Sequence, residues 1–338
     1  MTKRPLITAL MSTFNASLFI KESIESILNQ DYKDFELLII DDKSDDLTKK
    51  YIKSYNDSRI RLIELPTNVG VGAALNFGLS IAKGKYIAKT DADDINHPER
   101  FAIQLAALEA NSKWGLVKGC VDYFSDDSLV LKTARFKMLK TNREAELNSV
   151  NRPETIAQVL QDWCCIAHTT IMAKTEIVRH FGYPPWRMGE DYALFYRMNQ
   201  TGIIMGMEKG AKVLVRVSPK STTGCGKNQT QWITNIYALK RERVFNFIGD
   251  SRRLCVIGGG QLADGLKRCL AKDGFEVEMV VDYRNGGFQY ISSEHECGES
   301  DLNGRKVFIA CQPVRKKVCQ ALIRRGLRQN DDYFIFDG

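Results

Sequence analysis

Between residues 6 and 121, short apolar runs alternate with segments of helical period, and this alternation most narrows the possible folds. Leu6–Met11, Phe35–Ile40, Ile60–Leu65, Lys85–Thr90 and Leu116–Val121 read as strands. Residues 19–28, 46–55, 70–82 and 98–110 read as helices. The first of these carries Phe19, Ile20, Ile24, Ile27 and Leu28 at helical spacing. Strands alternating with helices imply crossover connections and a mostly parallel sheet. Nearly unbroken apolar strands imply a sheet covered by helices on both faces. In such sheets ligands bind beyond the carboxyl ends of the strands. The loops at those ends are Ser12–Asn15, Asp41–Ser44, Asn68–Gly72 and Asp91–Asp94, and they are rich in carboxylate, amide and hydroxyl groups.

The chain has 338 residues, enough for two domains at roughly 100–200 residues each. Charged residues at 26% and hydrophobic residues at 44% exclude collagen-like, low-complexity and wholly disordered chains. No apolar run approaches the roughly 18–20 residues of a membrane span, and Leu6–Met11 fits a strand better than a signal peptide. The nine cysteines are irregularly spaced without a C-x-x-C pair, which argues against zinc and for reduced thiols in a cytoplasmic protein. The net charge of +7 is locally clustered. Lys132, Arg135, Lys137, Lys140 and Arg143 form one run, and Arg315, Lys316, Lys317, Arg324, Arg325 and Arg328 another. Such runs form solvated faces or contact anionic lipid or nucleic acid.

Asp91-Ala92-Asp93-Asp94 carries the chemistry. Carboxylates at a strand end converge on the ligand crevice and repel one another, and Mg²⁺ or Mn²⁺ relieves that repulsion. Such an ion keeps positions open for substrate phosphates, so it can neutralise a diphosphate leaving group. The second cluster, Asp41-Asp42-Lys43-Ser44-Asp45-Asp46, supplies a helix cap at Ser44 or Asp45. It also supplies acceptors, Asp41 and Asp42, for a base N–H or a ribose hydroxyl. Either cluster alone also fits a solvated acidic loop.

At this point the sequence resembles a family 2 glycosyltransferase of the GT-A fold, over about residues 5–220. Met11-Ser12-Thr13-Phe14-Asn15 is similar to the family's opening motif, with Phe14 where Tyr is common. Asn68-x-Gly70-x-Gly72-Ala73-Ala74-x-Asn76 is similar to its helix motif beside the nucleotide, with Leu75 where the family usually has Arg. Gly84-Lys85-Tyr86-Ile87 leading to Asp91-x-Asp93-Asp94 is similar to its metal motif, followed by Pro98-Glu99-Arg100 and Gln104. Gly189-Glu190-Asp191-Tyr192 resembles its Glu-Asp pair at a helix start. The resemblance implies Ser12, Phe14, Asn15, Asp41, Asp42, Asn68, Gly70, Asn76 and Asp91 around the nucleotide. It implies Asp93 and Asp91 as metal ligands for Mn²⁺ or Mg²⁺. It implies Asp191, with Glu190 beside it, as the base that deprotonates an acceptor hydroxyl in inverting transfer. An N-terminal helix cap is the plainer role for such a pair. His168 and Trp186 are acceptor-side candidates, each with core packing as its alternative. Arg216 falls where an arginine near the diphosphate is common.

Beyond residue 122 the pattern loosens into short strands and two helices, and residues 228–248 read as one long helix. Val256-Ile257-Gly258-Gly259-Gly260-Gln261-Leu262-Ala263 then fits a glycine-rich turn between strand and helix, with Asp282 ending the next strand. The expected architecture is an α/β chain. A GT-A nucleotide-diphospho-sugar transferase domain spans 1–226 and a connecting helix 227–250. A small Rossmann-like module spans 251–338.

The function implied is a metal-dependent, inverting hexosyltransferase. It moves a sugar from a nucleoside diphosphate donor, such as a UDP-sugar, to a hydroxyl of a glycan or lipid-linked acceptor in bacterial surface polysaccharide synthesis. That places it in the cytoplasm, with its basic runs suited to peripheral contact with the anionic inner membrane face and no nucleic acid as partner. Two alternatives stand beside it. One is an NAD-dependent oxidoreductase using the C-terminal module, and the other a non-catalytic sugar-nucleotide-binding protein.

Overall fold

The computed structural model describes residues 4–219, 229–284, 287–292, 302 and 304–336. The chain divides into two compact units, Met1–Cys225 and Gly226–Gly338.

In the first unit, eight strands form one sheet: β1 (Ile7–Thr13), β2 (Phe35–Asp41), β3 (Ile60–Glu64), β4 (Tyr86–Asp91), β5 (Ile95–Asn96), β6 (Trp114–Phe124), β7 (Ile171–Lys174) and β8 (Ile204–Arg216). Their spatial order is β3-β2-β1-β4-β7-β6-β8-β5. The block β3-β2-β1-β4 is parallel throughout. β7 is antiparallel to both β4 and β6, and β6 and β8 are parallel again.

Strand pleating sends successive side chains to opposite faces. Ile7, Ala9 and Met11 of β1 and Phe35, Leu37 and Ile39 of β2 therefore share one face. There they pack with Ile20, Ile24 and Ile27 of helix Ile20–Leu28 and with Phe101, Leu105 and Leu108 of helix Arg100–Ala110. Leu10 and Ile40 face the other way, against helix Val71–Ile81. That helix approaches the loop at 182–187 so closely that a Cβ on Gly72 would lie 2.4 Å from the Pro184 carbonyl oxygen.

The region after residue 122 differs from its sequence reading. It holds a succession of short helices, among them Ser128–Lys132, Ala134–Met138, Glu144–Ser149 and Pro153–Leu160, and the 13-residue strand β8. Helices of five to eight residues span barely two turns, too few for a helical period to show.

The second unit contains β9 (Leu254–Ile257), β10 (Val277–Arg284), β11 (Gly287–Ser292), β12 (Lys306–Ile309) and β13 (Tyr333–Ile335), in the order β11-β10-β9-β12-β13. All pairings are parallel except β10–β11. Val318 and Leu322 of helix Arg315–Arg324 cover one face. Phe247 of helix Gln229–Ile248 packs on Phe308 and Phe334 at 5.2 and 5.4 Å between ring centroids. Helix 229–248, read from the sequence as a connector, is thus a layer of the second unit. Tyr237 and Arg241 from it both bond the Asp273 carboxylate. Gly258, at the end of β9, has φ +144°, and a Cβ there would lie 2.3 Å from the Ala310 carbonyl oxygen. Asp282 lies inside β10, opposite Gln289, rather than at its end.

Candidate active site

The parallel register brings the strand ends together. Ser12 lies beside Asp91 on β4, and Thr13 beside Asp41 on β2. The loops that follow are fastened to one another by the polar groups the sequence nominates. Asn15, at φ +51°, donates its N–H to Ser44 Oγ at 2.9 Å and accepts from the Asp45 N–H at 3.0 Å. Asp42 is buried, and its two carboxylate oxygens accept the N–H groups of Val69 and Gly70 at 2.7 and 2.8 Å. Asn68 donates to the Asp42 carbonyl at 3.1 Å and accepts from Arg187 at 3.0 Å. The Asn76 amide is matched at both ends by Tyr183, donating to its carbonyl and accepting from its N–H, each at 2.8 Å.

These bonds give part of the expected nucleotide shell a structural task. Asp42 and Asn76, expected at the nucleotide, have their polar atoms engaged by neighbouring backbone, because each bridges two loops that must be held side by side. Asp41 is different. It is fully buried, and one of its oxygens accepts from the Ser44 N–H at 2.9 Å. Its Oδ1, like the Thr13 hydroxyl beside it, has no hydrogen-bond partner among the described residues. The Phe14 ring is half exposed at the rim.

The acidic centre follows β4. Ser23 pins its backbone, donating to the carbonyls of Asp91 and Asp94 at 2.5 and 2.8 Å. Lys89 is fully buried two residues before Asp91, on the same face of the strand, and pairs with the Asp91 carboxylate. Burial works against the Asp91 charge, but the surrounding groups, Lys89 first and Arg100 among them, together hold that carboxyl below its ordinary range. Burial and then Asp91 push the Asp93 carboxyl up to about 6. Asp94 is turned inward, accepting the Arg216 N–H at 2.9 Å. Burial, then Asp91 and Asp93, raise its carboxyl far above the usual range.

Arg216 is held by the protein on every side the structure describes. Its guanidinium lies between the Phe19 and Phe124 rings, pairs with Glu22 and Asp126, and donates to the Asp93 carbonyl at 2.8 Å. It therefore positions the Asp91–Asp94 loop. Arg100 and Gln104 form a buried hub beneath it. Arg100 donates to the Lys89 and Ile171 carbonyls at 2.8 and 2.9 Å, and Gln104 to that of Thr170 at 2.7 Å.

Glu190 and Asp191 open helix Glu190–Gln200. Burial and then Asp191 push the Glu190 carboxyl up to about 8. Burial also raises Asp191, against the hydrogen bond from the Tyr192 N–H, and Asp91 contributes to the rise. The two carboxylate clusters, a hundred residues apart in sequence, thus lie within one electrostatic field. His168 Nε2 bonds the Tyr183 hydroxyl at 2.8 Å, and its ring packs on Phe195 and Tyr183. Burial pushes its pKa down to about 3, so the ring is neutral. These contacts fit the packing alternative for His168. Trp186 is half-buried in the loop that meets Gly72.

Sequence reasoning missed Ser23, Lys89 and Arg187. Only Lys89 left a signal, a lysine directly after the apolar run Tyr86-Ile87-Ala88 and still within the strand.

Asp91 and Asp93 suit a divalent cation. The repulsion that raises Asp93 is what a dication relieves, and two carboxylates plus substrate phosphates are a normal magnesium-type ligand set. Among the described residues, no three His, Cys, Asp or Glu side chains form a complete cage.

The family model for glycosyl transferase family 2 matches residues 8–181, just over half of the chain. The chain belongs to this family. Among curated relatives, this family 2 chain is 39% identical over 133 residues to the uncharacterized glycosyltransferase MJ1057 of Methanocaldococcus jannaschii, covering 38% of the chain and 46% of that protein. It is 28% identical over 190 residues to the Escherichia coli protein WfgD, covering 56% of the chain and 68% of that protein. WfgD is named as a UDP-Glc:alpha-D-GlcNAc-diphosphoundecaprenol beta-1,3-glucosyltransferase. The chain spans less than half the length of the first curated relatives it matches. Two solved structures share the fold. One is the mannosyltransferase PcManGT from Pyrobaculum calidifontis with GDP-Man and Mn²⁺, at TM-score 0.53 and 20% identity, covering 72% of this chain and 65% of that one. The other is S. aureus TarS 1-349 with UDP-GlcNAc, at TM-score 0.52 and 15% identity, covering 78% and 72%. The chain therefore carries a family 2 glycosyl transferase domain with the GT-A fold.

Proposed function

We propose that the protein is a metal-dependent, inverting transferase that moves a hexose from a UDP-sugar to a hydroxyl of a lipid-linked glycan in surface polysaccharide assembly. The observation that carries this is that Asp191 and Glu190, a hundred residues on in sequence, lie within the field of Asp91 and Lys89 at the end of β4. The lipid-linked acceptor rests on the naming of relatives such as WfgD.

Asp41 Oδ1 and the Thr13 hydroxyl, buried and unmatched, suit the hydrogen-bonding edge of a pyrimidine base. Ser12, next to Asp91 in register, suits the ribose. Asp91 and Asp93 would hold Mn²⁺ or Mg²⁺, which supplies charge neutralisation for the departing diphosphate. Asp191 takes the proton from the acceptor hydroxyl as its oxygen bonds to the anomeric carbon, and the bond from that carbon to the diphosphate breaks on the opposite side. Its raised basicity suits this task. Glu190, pushed up to about 8, keeps its proton at neutral pH. Lys89 keeps Asp91 charged.

The test is donor hydrolysis with Mn²⁺ across UDP-, GDP- and dTDP-sugars, reading free nucleoside diphosphate. Turnover of one donor, lost in Asp93→Ala, is the expected result. Absence of both turnover and metal-dependent nucleotide binding by calorimetry overturns the reading.

A further inference from the structure

The helical lobe between β6 and residue 149 has a surface that the transfer chemistry does not explain. Val130 and Leu139 anchor it in a small core with Val217 and the partly buried Phe136. Beside that anchor, Leu129, Leu131 and Met138 stand 72%, 42% and 38% exposed. Three large apolar side chains thus stand exposed within ten residues of the chain.

Charge sorts itself around these side chains. Of the five cations in the sequence run, two are used inside the lobe. Lys140 pairs with Asp122 and Glu144. Arg143 pairs with Glu146, donates to the Cys164 carbonyl at 2.9 Å and lies over the Trp163 ring. Asp126 is taken by Arg216, and Asp127 caps the helix at Ser128. Among the described residues, no carboxylate pairs with Lys132, Arg135 or Lys137, and these three flank the exposed leucines and methionine. Apolar side chains among unmatched cations complement one kind of surface, anionic headgroups above an acyl layer.

The lobe also borders the acidic centre on two sides. Asp126 reaches the Asp93 loop through Arg216. Arg143 meets the Trp163–Cys164 segment, where Cys164 feels the Asp191 charge.

We infer that residues 128–138 are a membrane-docking surface, with Leu129, Leu131 and Met138 entering the headgroup region of an anionic bilayer and Lys132, Arg135 and Lys137 contacting its phosphates. The inference stands on this surface alone and is read without any substrate, so it can fail while the transferase reading holds, and the reverse.

The experiment is co-sedimentation of the full chain with phosphatidylcholine vesicles, with and without phosphatidylglycerol. Binding is expected only with phosphatidylglycerol, weakening as salt rises. The triple variant Lys132→Glu, Arg135→Glu, Lys137→Glu is expected to lower the partition coefficient about tenfold or more. The pair Leu129→Ser, Leu131→Ser lowers it at unchanged net charge. A control with two charges reversed elsewhere, Lys317→Glu with Arg324→Glu on the exposed helix of the second unit, is expected to bind as the parent does. Thermal melts of each variant separate misfolding from lost docking. No binding to phosphatidylglycerol vesicles overturns the inference. So does loss of binding in the control alone. If the leucine variants change the mass in solution and leave vesicle binding untouched, the face joins two copies of the chain and the inference also fails.

Discussion

Two regions at the carboxyl ends of the same sheet treat their polar groups in opposite ways. On the β1–β3 side, Asn15, Asp42, Asn68 and Asn76 are matched to one another or to loop backbone, each bond between 2.7 and 3.1 Å. On the β4 side, Asp91, Asp93, Asp94, Glu190 and Asp191 are held in or near burial, and four of the five carboxyls are pushed upward, first by burial and then by one another. The first region is a rigid frame in which satisfied hydrogen bonds fix loop positions. The second holds like charges together at a cost in stability, as sites that bind cations and move protons do. Residue type alone does not separate the two, since both are built from Asp, Asn and Ser.

The largest expected effect tests the second region. Asp191→Asn should lower transfer by about a hundred- to ten-thousand-fold, the range for losing a general base. Its melting temperature should hold or rise, because a crowded carboxylate has gone. A steady-state assay beside a thermal melt reads both. A large fall in melting temperature would make Asp191 a frame residue and dissolve the contrast.

The first region predicts the reverse pattern. Asp42→Ala leaves the Val69 and Gly70 N–H groups without their acceptor, and each buried unsatisfied donor costs roughly 1–3 kcal/mol. Denaturant unfolding should show that loss. Should the variant keep its stability and lose only nucleotide affinity, Asp42 is a ligand contact after all. Asn76→Ala removes two hydrogen bonds to Tyr183 and should cost about 1–3 kcal/mol by the same measurement. Transfer should then fall through a higher KM, because the 182–187 loop is freed.

The smallest effect is a pH dependence. The Glu190 carboxyl titrates near 8 in the folded chain against about 4.5 as its ordinary value. Between those values the folded state keeps a proton that the unfolded state has released. Stability therefore falls as pH rises through that window. Glu190→Gln should flatten the melting temperature between pH 5 and about 8 relative to the parent chain. An unchanged slope would place the pH dependence elsewhere in the acidic centre.

The parallel half of the first sheet was legible because each of its strands is an apolar run bounded by polar loops. Ile7–Thr13, Phe35–Asp41 and Tyr86–Asp91 lie within two residues of their sequence expectation. Strand β8 and the short helices after residue 122 were not, since half-exposed strands and two-turn helices leave little periodicity. Asp91, Asp93, Glu190 and Asp191 could be nominated from local motifs. Arg216 as a loop fastener could not, because its partners Glu22, Asp93 and Asp126 lie far from it along the chain.

By itself the sequence determined the alternation of strands and helices, and hence a sheet whose carboxyl ends carry the chemistry. It also determined which side chains are available there. Only the tertiary structure decided which of them remain uncommitted. A hydrogen bond or ion pair depends on distances across the fold, between residues as far apart as Asn76 and Tyr183 or Glu22 and Arg216. Linear spacing does not carry that information.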